Sequence, residues 1–198
     1  MITQDPKPAK FDIGGVARLS LTLPIVDASK AIIRGMTGDP SGRGNQSLNV
    51  TKVGDNYVIK GYRHNAFTNK GLQAVLDSAY NGLTASRVTH IALSGDTSTV
   101  TASTTSIDPS SAGFSVKATS SVSRTAQTVA AEQTWSNSDV SFSIVKIGLM
   151  TGTAATDVVN IIGGTGGTAP YNEPFTIDLT SIATWSLTIG IDVTATAS

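Results

Sequence analysis

The chain has 198 residues, no cysteine, a formal net charge of zero and only 14% charged residues. Its length suits one domain, or one domain with an arm, and is enough to bury a core without covalent staples. Disulfides and thiolate metal sites are excluded, and few charges among many hydroxyls fit wet strand faces better than a cytosolic enzyme.

Residues 1–15 read as an extended arm: Pro6 and Pro8 oppose helix, Gly14-Gly15 marks a joint, and the first ten residues have no apolar core that would make a secretory signal. Leu19, Leu21 and Leu23 then alternate up to Pro24, which predicts a short strand. Asp27 to Arg34 fits either a helical turn capped by Asp27 or a strand around Ile32-Ile33. The glycine-dense stretch from Gly35 to Gln46 predicts a long loop, mobile unless something holds it. Ser47–Val53 and Asn56–Tyr62 flank Gly54-Asp55 as a hairpin.

One helix is expected, over Asn69–Tyr80, with Thr68 or Asn69 as its cap, an apolar stripe of Leu72, Val75, Leu76 and Ala79, and a left-handed stop at Asn81-Gly82. Everything after Arg87 reads as β. Val88–Leu93 is a strand, Thr97–Ser111 a hydroxyl-rich connection, and Phe114–Val122 with Thr125–Trp135 a hairpin. In Asp139–Met150 the apolar phase slips between Ile144 and Val145, which calls for a β-bulge or for a strand buried on both faces. Val158–Ile162 and Phe175–Leu179 are short strands separated by a glycine-rich turn, Gly163–Tyr171. The last strand is the most regular: Trp185, Leu187, Ile189, Ile191 and Val193 alternate with small or polar residues, giving one dry and one wet face. The dry face is expected to close over the Leu72 and Leu76 stripe or over opposing strands. The sum is a mainly β protein. It is expected to be an antiparallel, jelly-roll-like β-sandwich over 47–198 with one helix, preceded by an arm, short strand and glycine-rich loop over 1–46.

Signals for chemistry are few. His64 and His90 have no metal-ligand spacing, so His90 reads as structural. Ser143 and Lys146 match the letters of S-x-x-K inside a strand pattern, where they would point to opposite faces. The Gly163–Gly167 run lacks the Lys and following helix of a phosphate loop. Glu173 and Asp178 are scattered carboxylates, and the two glycosylation sequons at Asn45 and Asn49 have no secretory context. No run is apolar enough to span a bilayer as a helix, and basic residues are not interleaved with aromatics as in nucleic-acid binders. No enzyme, cofactor, metal, nucleic acid or membrane is therefore expected. Charge is uneven, however: most Lys and Arg precede Gly95. Lys7, Lys10, Arg18, Arg34 and Arg43 are the candidate residues for docking on an acidic neighbour.

From Asn65 onward three strings stand out: Thr68-Asn69-Lys70-Gly71-Leu72 opening the helix, Thr89-His90-Ile91-Ala92-Leu93-Ser94-Gly95 in a strand, and Ile147-Gly148-Leu149-Met150 before the alternating strand at Trp185–Val193. Together they resemble small virion proteins of tailed bacteriophages. The sequence departs from that pattern at Ser94-Gly95-Asp96, where Gly-x-Gly is usual, and at Lys146, where an acid often precedes the Gly-Leu pair. The resemblance implies a non-enzymatic virion component. A capsid decoration or cement protein is expected, binding the major capsid protein and copies of itself. A tail component is the alternative, with a host-surface glycan as partner and Tyr171 as its candidate contact.

Overall fold

Alternating apolar residues build the centre of the protein. In the computed structural model, residues 11–65, 68–80, 87–107, 113–126, 128–163 and 174–197 are described. Strand β1 spans Phe11–Pro24, and its Ala17, Leu19, Leu21 and Leu23 are all buried. It lies between β4 (Asn56–Asn65) and β12 (Ser186–Ala197), antiparallel to both. The strand therefore starts five residues before the end of the expected arm, because Phe11–Gly15 finds a full-length partner in Ala197–Val193. The segment before residue 47 thus supplies a central strand of the largest sheet. That sheet has six strands in the order β3-β4-β1-β12-β8-β7, with β3 over Asn49–Val53, β7 over Ser121–Thr125 and β8 over Thr128–Ser136.

A four-stranded sheet follows the order β10-β9-β5-β6, formed by Val158–Gly163, Lys146–Met150, His90–Ser94 and Phe114–Ala118. A small third sheet pairs β11 (Thr176–Asp178) with β2 (Ile32–Arg34). All pairings in the three sheets are antiparallel, none of the sheets closes on itself, and the protein is mainly β.

One core draws on every sheet: Leu19, Leu187, Ile189 and Trp135 from the first, Ile91, Leu93, Ile147 and Ile162 from the second, Ile177 from the third. Trp185, just before β12, is also buried in it. A second, smaller core of Ala92, Val100, Ile107, Met150, Val158 and Ile161 covers the other face of the four-stranded sheet. β9 is consequently buried along its whole length. Of the two readings of the phase slip, burial on both faces is the one found. The slip marks a change of neighbour: Ile144 bridges Ile177, while the amide of Val145 already bonds to Ser94 at 2.9 Å.

Local chemistry sets most other boundaries. Ile25–Lys30 is a 3₁₀ turn and Ile32–Arg34 a strand, so the ambiguous stretch holds a turn and a strand in succession, but Asp27 is not the cap: the turn follows Pro24 without a side-chain cap, and Asp27 lies inside it, bonded by Lys30 at 2.6 Å. Gly54, at φ +59°, turns the β3–β4 hairpin. Helix α1 occupies Asn69–Tyr80, and the hydroxyl of Thr68 accepts the Gly71 amide at 3.2 Å, making Thr68 the cap. The stripe expectation fares differently. Leu72 is 38% exposed, while Thr68 and Gly71 are buried and Ala74 packs on the core, so small residues face the body at this end. The side chains of Val75, Leu76 and Ala79, and Asn81-Gly82, lie outside the described residues.

Phe114–Val122 is not one strand. The chain turns at Thr119-Ser120, leaving β6 in the four-stranded sheet and placing β7 on the edge of the six-stranded one. The hairpin is β7–β8.

The glycine-rich loop is held. Thr37 and Tyr62 exchange backbone bonds at 3.0 and 2.8 Å, and the His64 amide bonds to Gly42 O at 3.1 Å. Gly42 has φ +71°, and a Cβ there would meet the His64 nitrogen at 2.2 Å, so close approach to β4 requires glycine.

Candidate interaction surface

The outward face of the six-stranded sheet is built from residues that alternate with the core. On β1 these are Val16, Arg18, Ser20 and Thr22; on β12 they are Ser186, Thr188, Asp192 and Thr194. Arg18 sits in mid-sheet, level with Tyr62 on one side and Gly190 on the other. Its guanidinium lies across Gly190, where a Cβ would come within 2.7 Å of Nη2. It reaches Asp192 at 2.8 Å and Glu132 at 3.9 Å, facing Asp192 as an ion pair without an aligned hydrogen bond. Both pairs are partly exposed, so each contributes little stability. What they set is direction: Arg18 is tied down on a patterned face. The wet face of the last strand supplies its counter-ion, Asp192.

Hydroxyl pairs extend the same face. Thr134 and Thr188 approach at 2.8 Å, as do Thr128 and Thr194. Arg43 reaches this face from the loop, its Nη2 2.6 Å from His64 Nε2. His64 is level with Val16, two residues from Arg18 on β1. The structure thus brings Arg18 and Arg43 to one face. Arg34 stands apart, exposed on the small sheet opposite Thr176. Lys7 and Lys10 lie outside the described residues, as do Tyr171, Glu173 and most of the Gly163–Gly167 run.

Asp39 organises the loop below Arg43. Its carboxylate accepts from the Ser41 amide at 2.9 Å, the Ser41 hydroxyl at 2.8 Å and the Gly44 amide at 3.0 Å. The Ser41 bonds, then that of Gly44, hold its carboxyl below the ordinary 3.8.

A polar cluster that the sequence did not announce lies inside. Lys146 is 1% exposed, with Nζ 2.5 Å from Asp96 Oδ2 and 2.7 Å from the Ser98 hydroxyl. Ser98 also donates its amide and its hydroxyl to Asp96, at 2.9 and 2.6 Å. Burial pushes the Asp96 carboxyl up, but bonds from Lys146 and Ser98 outweigh it and hold it below 3.8. The S-x-x-K letters are split: Lys146 turns to Asp96, while Ser143 bonds to Asp178. One signal in the sequence could have found it: a lone charge within the apolar run Val145–Met150 needs a buried partner.

His90 Nδ1 lies 2.8 Å from the Thr89 hydroxyl, a structural contact. Among the described residues no group of three or more His, Asp or Glu could hold a metal ion, and no helix is long and apolar enough to cross a membrane.

Asp139, bonded by Lys117 and Ser136, and Asp178, bonded by Thr180, are likewise held below 3.8. For all four aspartates the folded value lies under the unfolded one. Their stabilisation is complete above the unfolded value and is lost as pH falls through the folded values. The thermal midpoint is therefore expected to drop between about pH 5 and about pH 2. Scanning calorimetry across that range checks it, and a midpoint unchanged at the acid end would contradict the assignment.

No family model, curated protein or solved structure matches the chain.

Proposed function

We propose that this chain is a structural protein of a tailed-bacteriophage virion, a capsid decoration or cement protein that binds the major capsid protein lattice. One observation carries the reading. The strings that resemble phage virion proteins are far apart in sequence, yet they assemble into one unit. Ile91 pairs with Leu149 and Leu93 with Ile147 as neighbouring strands, and the Thr68 cap bonds to Asn160 and Val159 on the next strand but one. In this reading the two larger sheets form a jelly-roll-like β-sandwich that serves as a rigid, non-enzymatic body. The hydroxyl-rich face carrying Arg18 and Arg43, together with Lys7 and Lys10 from the segment before β1, meets the shell. Binding at many equivalent lattice positions gains by avidity, so each contact can be modest.

Copy number in purified particles tests the location. A copy for each repeat of the shell lattice is expected; a few copies at one vertex would instead favour the tail component. Deletion of the first ten residues tests the docking segment. The cut stops at Lys10 because β1 begins at Phe11 and a longer deletion would strip a central strand. The shortened protein is expected to keep its strand content by circular dichroism and to lose binding to shells that lack the protein. Retained binding would remove Lys7 and Lys10 from the interface.

A further inference from the structure

Among the described residues the six-stranded sheet ends on β3 and β7 with no further strand paired to either, and both edges carry the same chemical unit. β3 reads Val50-Thr51-Lys52 at its centre and β7 reads Val122-Ser123-Arg124. Every residue of both strands is exposed, with Val50 at 55% and Val122 at 59%. Each strand is the outer member of a tight hairpin, closed by Val53 with Asn56 and by Thr125 with Thr128.

Bonded and non-bonded pairs alternate along an antiparallel ladder, and a two-residue turn starts the count on a bonded pair. Lys52 with Tyr57, Val50 with Ile59, Arg124 with Val129 and Val122 with Ala131 are therefore non-bonded pairs. The backbone N–H and C=O groups of Val50, Lys52, Val122 and Arg124 point away from the sheet, toward whatever strand comes next. A cation on an edge commonly discourages such pairing. Here its position does the opposite. Laid antiparallel about Thr51 or Ser123, each unit places valine against the aliphatic stem of a lysine or arginine and hydroxyl against hydroxyl. No two cations face each other. The outward bonding groups also coincide in that register.

We propose that the β3 and β7 edges bind a second copy of this chain by antiparallel strand addition, centred on Thr51 and Ser123. Three joins share this register: β3 to β3, β7 to β7, and β3 to β7. The first two close a two-fold dimer and the third continues the sheet from copy to copy. The contact is small and therefore weak in dilute solution. It deepens the reading of a many-copy virion protein, yet its test needs no particle, so failure of one is distinguishable from failure of the other.

Sedimentation of the full chain over a concentration series up to about 1 mM is expected to show reversible association. Amide exchange of Val50, Lys52, Val122 and Arg124 should slow as concentration rises, while the amides of Thr51 and Ser123, already bonded within the hairpins, should not change. Val50→Pro and Val122→Pro remove outward N–H groups that the hairpins do not use. Each is expected to keep the fold and weaken association, and the pair together to abolish it. Which single variant acts more strongly identifies the join. A chain that stays monomeric throughout, or oligomers that persist in the double variant with unchanged exchange at the four amides, would overturn the proposal. The exchange measurement stands on the unaltered protein if a proline variant fails to fold.

Discussion

Asp96→Ala is expected to destabilise the protein by about 3–5 kcal/mol, while Lys146→Met is expected to be neutral or stabilising. Lys146 has no route to solvent, and Asp96 is the acid beside it, at 2.5 Å. Removing the carboxylate leaves a buried ammonium whose remaining bond among the described residues is to the Ser98 hydroxyl. Removing the lysine instead replaces the charge with an apolar stem of similar length and lets Asp96, which retains 15% exposure and its Ser98 bonds, keep partial contact with water. The double variant should resemble Lys146→Met alone. Urea titration of the three proteins checks the order. Equal losses for the two single variants would show that the pair stabilises as a bond and not merely as a requirement of burial.

The second large effect is expected at Trp135. Trp135→Ala should cost about 3–5 kcal/mol, because it empties the largest fully buried side-chain volume in the described core. The ring stands on β8 of the six-stranded sheet, and its Nε1 donates to the Ser115 hydroxyl on β6 of the four-stranded sheet at 3.2 Å. Trp135→Phe keeps most of the apolar volume and loses that bond, so it should cost roughly 1–2 kcal/mol by comparison. Thermal and urea unfolding of both variants provide the measurement. A loss below that of the phenylalanine variant in Trp135→Ala would mean the two sheets do not depend on the ring.

Features governed by near neighbours were legible in the sequence. Helix α1 and the Gly54 hairpin follow from local spacing and turn chemistry and stand where that puts them, while the last strand begins as its alternation predicts and runs on past Val193 to Ala197. What was hidden is sheet membership. Val116 and Val122 alternate in phase, so nothing local says that Thr119-Ser120 sends them to different sheets. The candidate surface shows the same limit. Arg18 looked like an uncommitted cation because its counter-ions, Glu132 and Asp192, come from strands formed much later in the chain. Lys146 was more telling than it seemed: a charge that interrupts an apolar run always raises the question of its partner, and the answer was Asp96.

β1 also sets a clock. It can pair with β4 as soon as the β3–β4 hairpin forms, but its other side waits for β12. During synthesis, every intervening residue must leave the ribosome before that side is covered, and such long-range pairing is slow. Until then β1 is an apolar strand with one edge open. Where many copies are made at once, a neighbour's last strand can arrive before the chain's own, so the yield of correctly closed protein should fall with the rate of expression, and the interval before residue 186 emerges is when the chain most needs a chaperone.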